Sequence, residues 1–263
     1  MLEVKNLTVV FNQGTINEKQ VLNNLSLTLE DGDFVTVIGG NGAGKSTLLN
    51  CVAGSIIPNS GSIRIDGQDV TNCAEFKRAA YLGRVFQDPL MGTAGDMWIE
   101  DNMALALRRG KRHGLHWGIG AKERALFRKE LSSLGLGLED RLNTSVKLLS
   151  GGQRQALTLL MATMQKPKLL LLDEHTAALD PKTAEKVLKL SDKLVSENSL
   201  TTLMVTHNMR DAIAYGNRLI MMQSGSVVLD ISGEEKQSLT VESLLARFAK
   251  SSGSDEVSDK LVL

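Results

Sequence analysis

Apolar residues along this chain alternate with polar ones near the start and run together further on. The alternation over residues 2–11 (Leu-Glu-Val-Lys-Asn-Leu-Thr-Val-Val-Phe) and 21–29 (Val-Leu-Asn-Asn-Leu-Ser-Leu-Thr-Leu) predicts two half-buried strands. The polar stretch 12–20, with Gly14, reads as a turn between them, and Asp31-Gly32 ends the second. Phe34-Val35-Thr36-Val37-Ile38 is continuously apolar, as a buried strand is, and Leu48-Leu49-Asn50-Cys51-Val52-Ala53 reads as a helix start. After the turn Pro58-Asn59-Ser60-Gly61 come a short strand closed by Gly67 and another over 81–86, which runs into Gln87-Asp88-Pro89.

The spacing becomes helical at 98–108 (Trp98, Ile99, Met103, Leu105, Leu107) and 121–134 (Ala125, Leu126, Leu131, Leu134). Between them, Arg108 to Gly120 mixes glycines with a basic cluster and reads as an exposed loop. It is either simply solvated or a contact for anionic headgroups or an acidic partner, and its His and Trp residues lack metal-ligand spacing. A strict alternation of helix and strand follows: helix 151–165, strand 168–173, helix 181–196 with Pro181 in its first turn, strand 200–206, helix 209–215. The pair 218–222 and 226–230 forms a hairpin across Gln223-Ser224-Gly225, and 241–249 is a closing helix. The run Leu169-Leu170-Leu171-Leu172 suits a parallel strand covered on both faces. The pattern predicts a doubly wound α/β core with an antiparallel β-unit beside it, and a polar, frayed end from Ser251.

Composition narrows the choice. A hydrophobic fraction of 42% in 263 residues supports a substantial core, and 30 basic against 30 acidic residues give no global field for nucleic acid. Cys51 and Cys73 show neither disulfide nor metal spacing and suit apolar packing in a reducing compartment. The start Met1-Leu2-Glu3-Val4-Lys5 lacks a signal-peptide layout, and no apolar stretch is long enough to span a membrane. At a membrane, another chain must supply the spanning part.

The chemistry sits at the junctions between elements. Between the strand 34–38 and the helix start lies Gly39-Gly40-Asn41-Gly42-Ala43-Gly44-Lys45-Ser46-Thr47. Strand, glycine-rich loop, Lys-Ser and helix together make a phosphate site. The glycines let backbone N–H groups turn inward around phosphates, and the helix start adds its positive dipole end. Lys45 reaches the β- and γ-phosphates, and the Ser46 hydroxyl ligates Mg²⁺. A second signal is Asp173-Glu174 at the carboxyl end of a core strand, facing the crevice where such sheets bind ligands. Asp173 would hold Mg²⁺, and Glu174 would polarise the attacking water as general base; alone, the two are equally a pair of solvated acids. Leu149-Ser150-Gly151-Gly152-Gln153 opens a helix with a good cap residue and two glycines, which is either an ordinary cap or a second anion site. Two such starts in one chain suit a two-fold dimer in which ATP on one copy's loop is closed over by the other copy's second site. Gln87 is a solvated strand end, a metal ligand or a γ-phosphate sensor. Phe11 is a core aromatic or a platform for adenine, and His207, after a strand, is structural or a partner of the γ-phosphate.

Taken in order, these motifs resemble the nucleotide-binding subunits of ATP-binding cassette (ABC) transporters, from Leu2 to about Ala249. The phosphate loop is Gly39 to Thr47, the glutamine loop Val85-Phe86-Gln87-Asp88, and the signature Leu149 to Gln153. The acidic strand ends Leu172-Asp173-Glu174, the next loop is Ala178-Leu179-Asp180, and the switch is Thr206-His207. The resemblance implies one domain over 1–250: a P-loop NTPase core, an antiparallel β-subdomain and a helical signature subdomain at about 88–165, with a flexible tail at 251–263. It implies an ATPase whose cofactors are ATP and Mg²⁺. Phe11 stands where the family has an aromatic, usually Tyr, against adenine. Gln87 would contact Mg²⁺ and relay nucleotide state to the helical segment, which would dock on a permease. Ser150, Gly151, Gly152 and Gln153 would close over ATP from the opposite copy, and Asp180 would reach across the dimer. Glu174 and His207 would serve hydrolysis. The implied partners are a transmembrane permease as a separate chain, a substrate-binding protein, and a second ATPase subunit in a homodimer or pseudo-homodimer; nucleic acid is not among them. The implied place is the cytoplasmic face of the cell membrane.

The chain departs from the family pattern at several positions. Where Pro usually follows the catalytic acid it has His175, Ala177 replaces a common Ser, and Ala156 and Met161 stand where Arg residues are usual. His175 adds a titratable ring beside Glu174 and reads as a subfamily marker with little effect on rate. Asp-Glu-His-Thr-Ala-Ala-Leu-Asp-Pro resembles bacterial importer ATPases linked to tryptophan or related amino-acid uptake. A cassette ATPase acting on a soluble or scaffold partner is the alternative. A P-loop kinase or GTPase fits less well, because the Leu149–Gln153 signature is present and no guanine-specific Asn-Lys-x-Asp occurs.

Overall fold

The computed structural model describes residues 1–111 and 118–252. Two strands open the chain, β1 (Leu2–Phe11) and β2 (Lys19–Leu29), then β3 (Phe34–Ile38), α1 (Lys45–Ala53), β4 (Ser60–Ile65), β5 (Gln68–Asp69), α2 (Glu75–Arg78) and β6 (Leu82–Val85). A helical stretch follows, α3 (Ile99–Arg108), α4 (Ala121–Ser132) and α5 (Gly151–Thr163). The chain continues with β7 (Leu169–Asp173), α6 (Pro181–Asn198), β8 (Thr202–Val205), α7 (Met209–Ala214), β9 (Arg218–Gln223), β10 (Ser226–Ser232), α8 (Gly233–Gln237) and α9 (Val241–Ser252).

The strands form two sheets. The smaller is antiparallel in the order β2-β1-β4-β5; the larger runs β10-β9-β3-β8-β7-β6, parallel except for β10 at one edge. In the larger sheet, side chains alternate between two buried faces. Val35, Val37, Leu169, Leu171, Leu203 and Val205 face α1 and the smaller sheet, whereas Leu170, Leu172 and Met204 face α5 and α6. This is the α/β phosphate-loop architecture expected, with each leucine of the run buried on one face or the other. The hairpin also appears as expected: Gln223 pairs with Ser226 across Ser224-Gly225, both at positive φ.

Helix α5 joins the helical layer to the sheet. Its Leu157, Leu160 and Met161 pack with Ile99, Met103, Phe127 and Leu131 of α3 and α4, while Leu159 and Ala162 pack on the sheet. A helix buried all round holds its N-terminus firmly, and that N-terminus carries Ser150.

The chain differs from the sequence reading in several details. Helix α1 begins at Lys45, three residues before the apolar run, because Gly44 at φ 99 supplies the left-handed turn that starts it. Arg108 and Arg109 are not free in an exposed loop. Arg108 ends α3 and is paired with Glu123 at 2.9 Å, and the half-buried Arg109 donates to the carbonyl of Ala162 at 3.2 Å. The rest of that basic loop, residues 112–117, and the expected tail from residue 253 lie outside the described residues; α9 itself runs through Ser252.

Arg78 was not singled out by any pattern. It is wholly buried and donates to four carbonyls: Cys73 at 2.9 Å, Cys51 at 2.6 Å, Val52 at 3.0 Å and Thr71 at 2.9 Å. Cys51 and Val52 lie in the last turn of α1, so the guanidinium closes that helix from outside. Gly54, at φ 92, makes room for it: a Cβ there would lie 2.7 Å from Arg78 Nε. The two cysteines are free, Cys51 buried and Cys73 half-buried.

Candidate nucleotide site and its relatives

Four adjacent parallel strands, β3, β8, β7 and β6, end at one edge of the larger sheet. Their next residues are Gly39, Thr206-His207, Glu174 and Phe86-Gln87. The shared direction of the strands thus gathers residues 39 to 207 along a single crevice. Backbone ladders extend beyond the strands to hold them: Glu174 N donates to Val205 O at 2.9 Å, and Thr206 N to Val37 O at 3.1 Å.

The loop 39–47 is a cradle of main chain. Gly39, Gly42 and Gly44 all have φ in the left-handed region. Gly39 is also obligatory for space, since a Cβ there would lie 2.2 Å from the carbonyl oxygen of Met222. No side chain caps α1, so the N–H groups of its first turn face outward, as an anion requires. Lys45 is buried, and its Nζ donates to the carbonyls of Gly39 at 2.7 Å and Gly40 at 3.2 Å. Burial lowers its pKa, against the pull of Glu174 and Asp173. The Ser46 side chain is exposed at the mouth, and Asn41 and Gly42 are exposed at the loop's tip.

Asp173 and Glu174 lie opposite Lys45. Burial raises the Asp173 carboxyl above its usual pKa, opposed by Arg84, whose Nη2 is 3.4 Å away. Glu174 is held at φ 43, a left-handed conformation that costs a non-glycine residue about 1–3 kcal/mol and persists where the surroundings enforce it. Its Oε2 is 3.6 Å from Nδ1 of His207. The structure therefore brings Lys45, Asp173, Glu174 and His207 into one cluster. Gln87 is exposed at the same edge, and Phe11, 38% exposed, ends β1 opposite Lys19.

The signature residues lie elsewhere, at the head of α5. Ser150 and Gln153 form a reciprocal capping box: Gln153 N donates to Ser150 Oγ at 3.3 Å, and Ser150 N to Gln153 Oε1 at 3.2 Å. Gly151 is exposed. Gly152 is buried, and a Cβ there would lie 2.2 Å from Cγ2 of Thr183. This glycine allows α5 and α6 to touch. Gly152→Ala is accordingly expected to lower stability by about 1–3 kcal/mol in urea unfolding, and a second change, Thr183→Ser, to recover most of that loss. Parent-like stability of the single variant would contradict the contact. Asp180 caps α6, accepting from Thr183 N at 3.1 Å; hydrogen bonding from the Thr183 side chain, and then from its backbone, holds the carboxyl below the usual range.

Sequence reasoning missed Arg84. Its guanidinium lies 4.5 Å over the ring of Phe86, donates to Asn50 Oδ1 at 2.7 Å and approaches Asp173, so one side chain touches α1, the acidic strand and the glutamine loop. The available signal was a charge inside the short apolar strand 81–86. The reading of His175 as a titratable ring beside Glu174 is also corrected. The ring is 2% exposed, turned toward α6, and burial pushes its pKa down to about 4.

A phosphate-loop cradle, a lysine at its base and two acids at the next strand end define a nucleoside-triphosphate hydrolase of the α/β phosphate-loop class. The chain belongs to the ABC transporter family, whose model matches residues 22–177. It is 48% identical to the tyrosine transport ATP-binding protein of Clostridioides difficile (strain R20291), over 94% of this chain and 98% of that protein. It is 35% identical to the energy-coupling factor transporter ATP-binding protein EcfA2 of Acetivibrio thermocellus, over 86% of this chain and 78% of that protein. Among solved structures, the ATP-binding cassette MJ0796, a dimer in a post-hydrolysis state bound to ADP and Pi, superposes with a TM-score of 0.75. The identity is 30%, over 88% of this chain and 98% of that one. The protein is an ATP-binding ATPase of an ABC transporter.

Proposed function

We propose that this chain powers a bacterial importer of amino acids or similar small solutes by ATP-driven closure of two ATPase subunits. The observation that carries the mechanism is the cluster at the strand ends: Glu174 enforced at φ 43, 3.6 Å from His207, opposite Lys45. In this reading the N–H groups of the 39–47 loop and Lys45 hold the phosphates, and Phe11 supports the adenine. Ser46, Asp173 and Gln87 are the residues that would hold Mg²⁺. The exposed hydroxyl, the carboxylate and the amide are hard oxygen donors of the type that ion takes. Bound there, Mg²⁺ would neutralise charge on the phosphates. Glu174 accepts the proton of the attacking water, and His207 orients that carboxylate and contacts the γ-phosphate.

Ser150 caps α5 and Gly151, Gly152 and Gln153 open it, while Asp180 heads α6 beside them. They complete the site of a second copy, consistent with a dimeric relative. Among the described residues no helix is long and apolar enough to cross a membrane. In this reading the permease is a separate chain, and this subunit works on its cytoplasmic side. A cavity of about 410 Å³ between α3, α5 and β6, lined by Arg84, Met91, Leu105, Arg109, Thr158 and Met161, is where a permease segment would dock. The amino-acid assignment rests on the identity to a tyrosine transport subunit, and a substrate-binding protein would deliver the cargo.

Affinity purification from native membranes tests this reading. A membrane-spanning permease is expected to copurify. In proteoliposomes, ATP turnover should rise when an amino acid is presented on the cognate binding protein. Copurification with soluble proteins alone would reject the transport reading; stimulation by another solute class would replace the substrate.

A further inference from the structure

Glu174 needs more than its own backbone to stay at φ 43. One anchor is the ladder bond from its N–H to Val205. The other comes from the next residue. His175 Nε2 lies 2.9 Å from Oγ of Ser191, both side chains being almost wholly buried. The Ser191 hydroxyl donates to the carbonyl of Val187 at 2.9 Å, one turn back in α6. Its proton is therefore committed, its lone pair faces the ring, and Nε2 must carry the hydrogen. The bond has a direction: His175 Nε2–H donates to Ser191, which donates to the helix.

Between these anchors the segment 174–180 is a tight fold. Ala177 N donates to Glu174 O at 2.9 Å, Leu179 N to Thr176 O at 3.1 Å, and Asp180 caps α6. The loop is thus attached to α6 at two places, Asp180 at the helix start and His175 nearly three turns along. Where the family pattern has a proline, which limits the chain by fixing one dihedral, this chain has a side-chain tie to a helix.

We infer that the His175–Ser191 hydrogen bond is a positioning device for the catalytic Glu174, taking over the loop-restraining role that a proline at position 175 would have, which replaces the expectation that His175 has little effect on rate. The inference rests on Glu174 being the general base of the proposed function. Among the described residues His175 is hydrogen-bonded to Ser191, whereas the Glu174 carboxylate pairs with His207, so His175 acts through the backbone alone. A misplaced base costs turnover rather than nucleotide affinity, since Lys45 and the 39–47 loop are anchored separately.

Steady-state ATP turnover of His175→Leu, Ser191→Ala, the double variant and His175→Gln tests this. His175→Leu and Ser191→Ala each remove the bond and are expected to lower kcat about tenfold, with KM for ATP unchanged within about twofold. The double variant should fall no further than the worse single one, because both delete the same contact. His175→Gln keeps an N–H donor of similar reach and should restore most of kcat. Mg·ATP-driven dimerisation in a Glu174→Gln background should survive all four changes. Unchanged kcat in Ser191→Ala, additive losses, or a parallel fall in kcat and nucleotide affinity without rescue by Gln would overturn the inference. Failure of the parent to hydrolyse ATP, or of Glu174→Gln to slow it, would instead strike at the proposed function.

Discussion

Glu174→Gln should cut ATP turnover by about 10²–10⁴-fold while leaving ATP binding intact, because the amide matches the carboxylate in shape but cannot take a proton. The ladder bond from residue 174 to Val205 and the His175 tie to Ser191 involve neither carboxylate oxygen, so the substitution leaves the backbone in place. The neighbour His207 is 3.6 Å from Oε2 and can meet an amide as well as a carboxylate. The consequence for assembly is larger than the local chemistry suggests. If ATP bridges the 39–47 loop of one copy and the Ser150 region of another, bound nucleotide stabilises the dimer by mass action, and hydrolysis alone releases it. The variant should therefore elute as a dimer in saturating Mg·ATP and as a monomer in ADP, whereas the parent shifts only transiently. A variant that remains monomeric in Mg·ATP, or a parent that hydrolyses at full rate when held as a single copy, would refute the shared site.

Much of this was legible in residue order, for a physical reason. A phosphate loop is a local object: the strand, the glycines and the helix start that make it are contiguous, so Gly39 to Thr47 announce themselves. Parallel strands likewise declare their burial through unbroken apolar runs, which placed Asp173 and His207 at strand ends without any knowledge of the sheet order. Contacts between distant segments were not legible. Nothing near Arg84 says that its guanidinium meets Asn50 and Asp173, and nothing near Gly152 says that Thr183 fills the space of its missing Cβ. His175 was conspicuous as a departure from pattern, but its partner lies 16 residues away on the inner face of a helix. The helical periodicity of α6 shows that Ser191 faces inward, not what it meets. The short elements β5, α2 and α8 were missed because two to five residues carry too little periodicity to register.

Arg78 lies far from any motif, and its replacement is expected to be the most damaging single change to stability. Its guanidinium is desolvated, with burial lowering its pKa, and among the described residues no carboxylate bonds to it; four carbonyl oxygens do that work instead. Arg78→Met keeps much of the volume and returns the hydration cost of the buried charge, which offsets part of the loss. It also leaves carbonyls at the end of α1 and in the 71–73 segment without their donor in a site closed to water, at about 1–3 kcal/mol each. The net expectation is a loss of about 3–5 kcal/mol in urea unfolding, or roughly 10 °C in Tm for a domain of this size. Arg78→Lys keeps the charge but not the planar fork, and a single ammonium cannot span carbonyls on both sides, so it should recover less than half of the loss. Because α1 carries the phosphate loop at its other end, ATP affinity should fall in step with stability, and saturating ATP should restore part of the lost Tm. Methionine at 78 leaving stability within about 0.5 kcal/mol of the parent would mean that the four carbonyls find other donors, and that the guanidinium is not what fastens the phosphate-loop helix to the 71–73 segment.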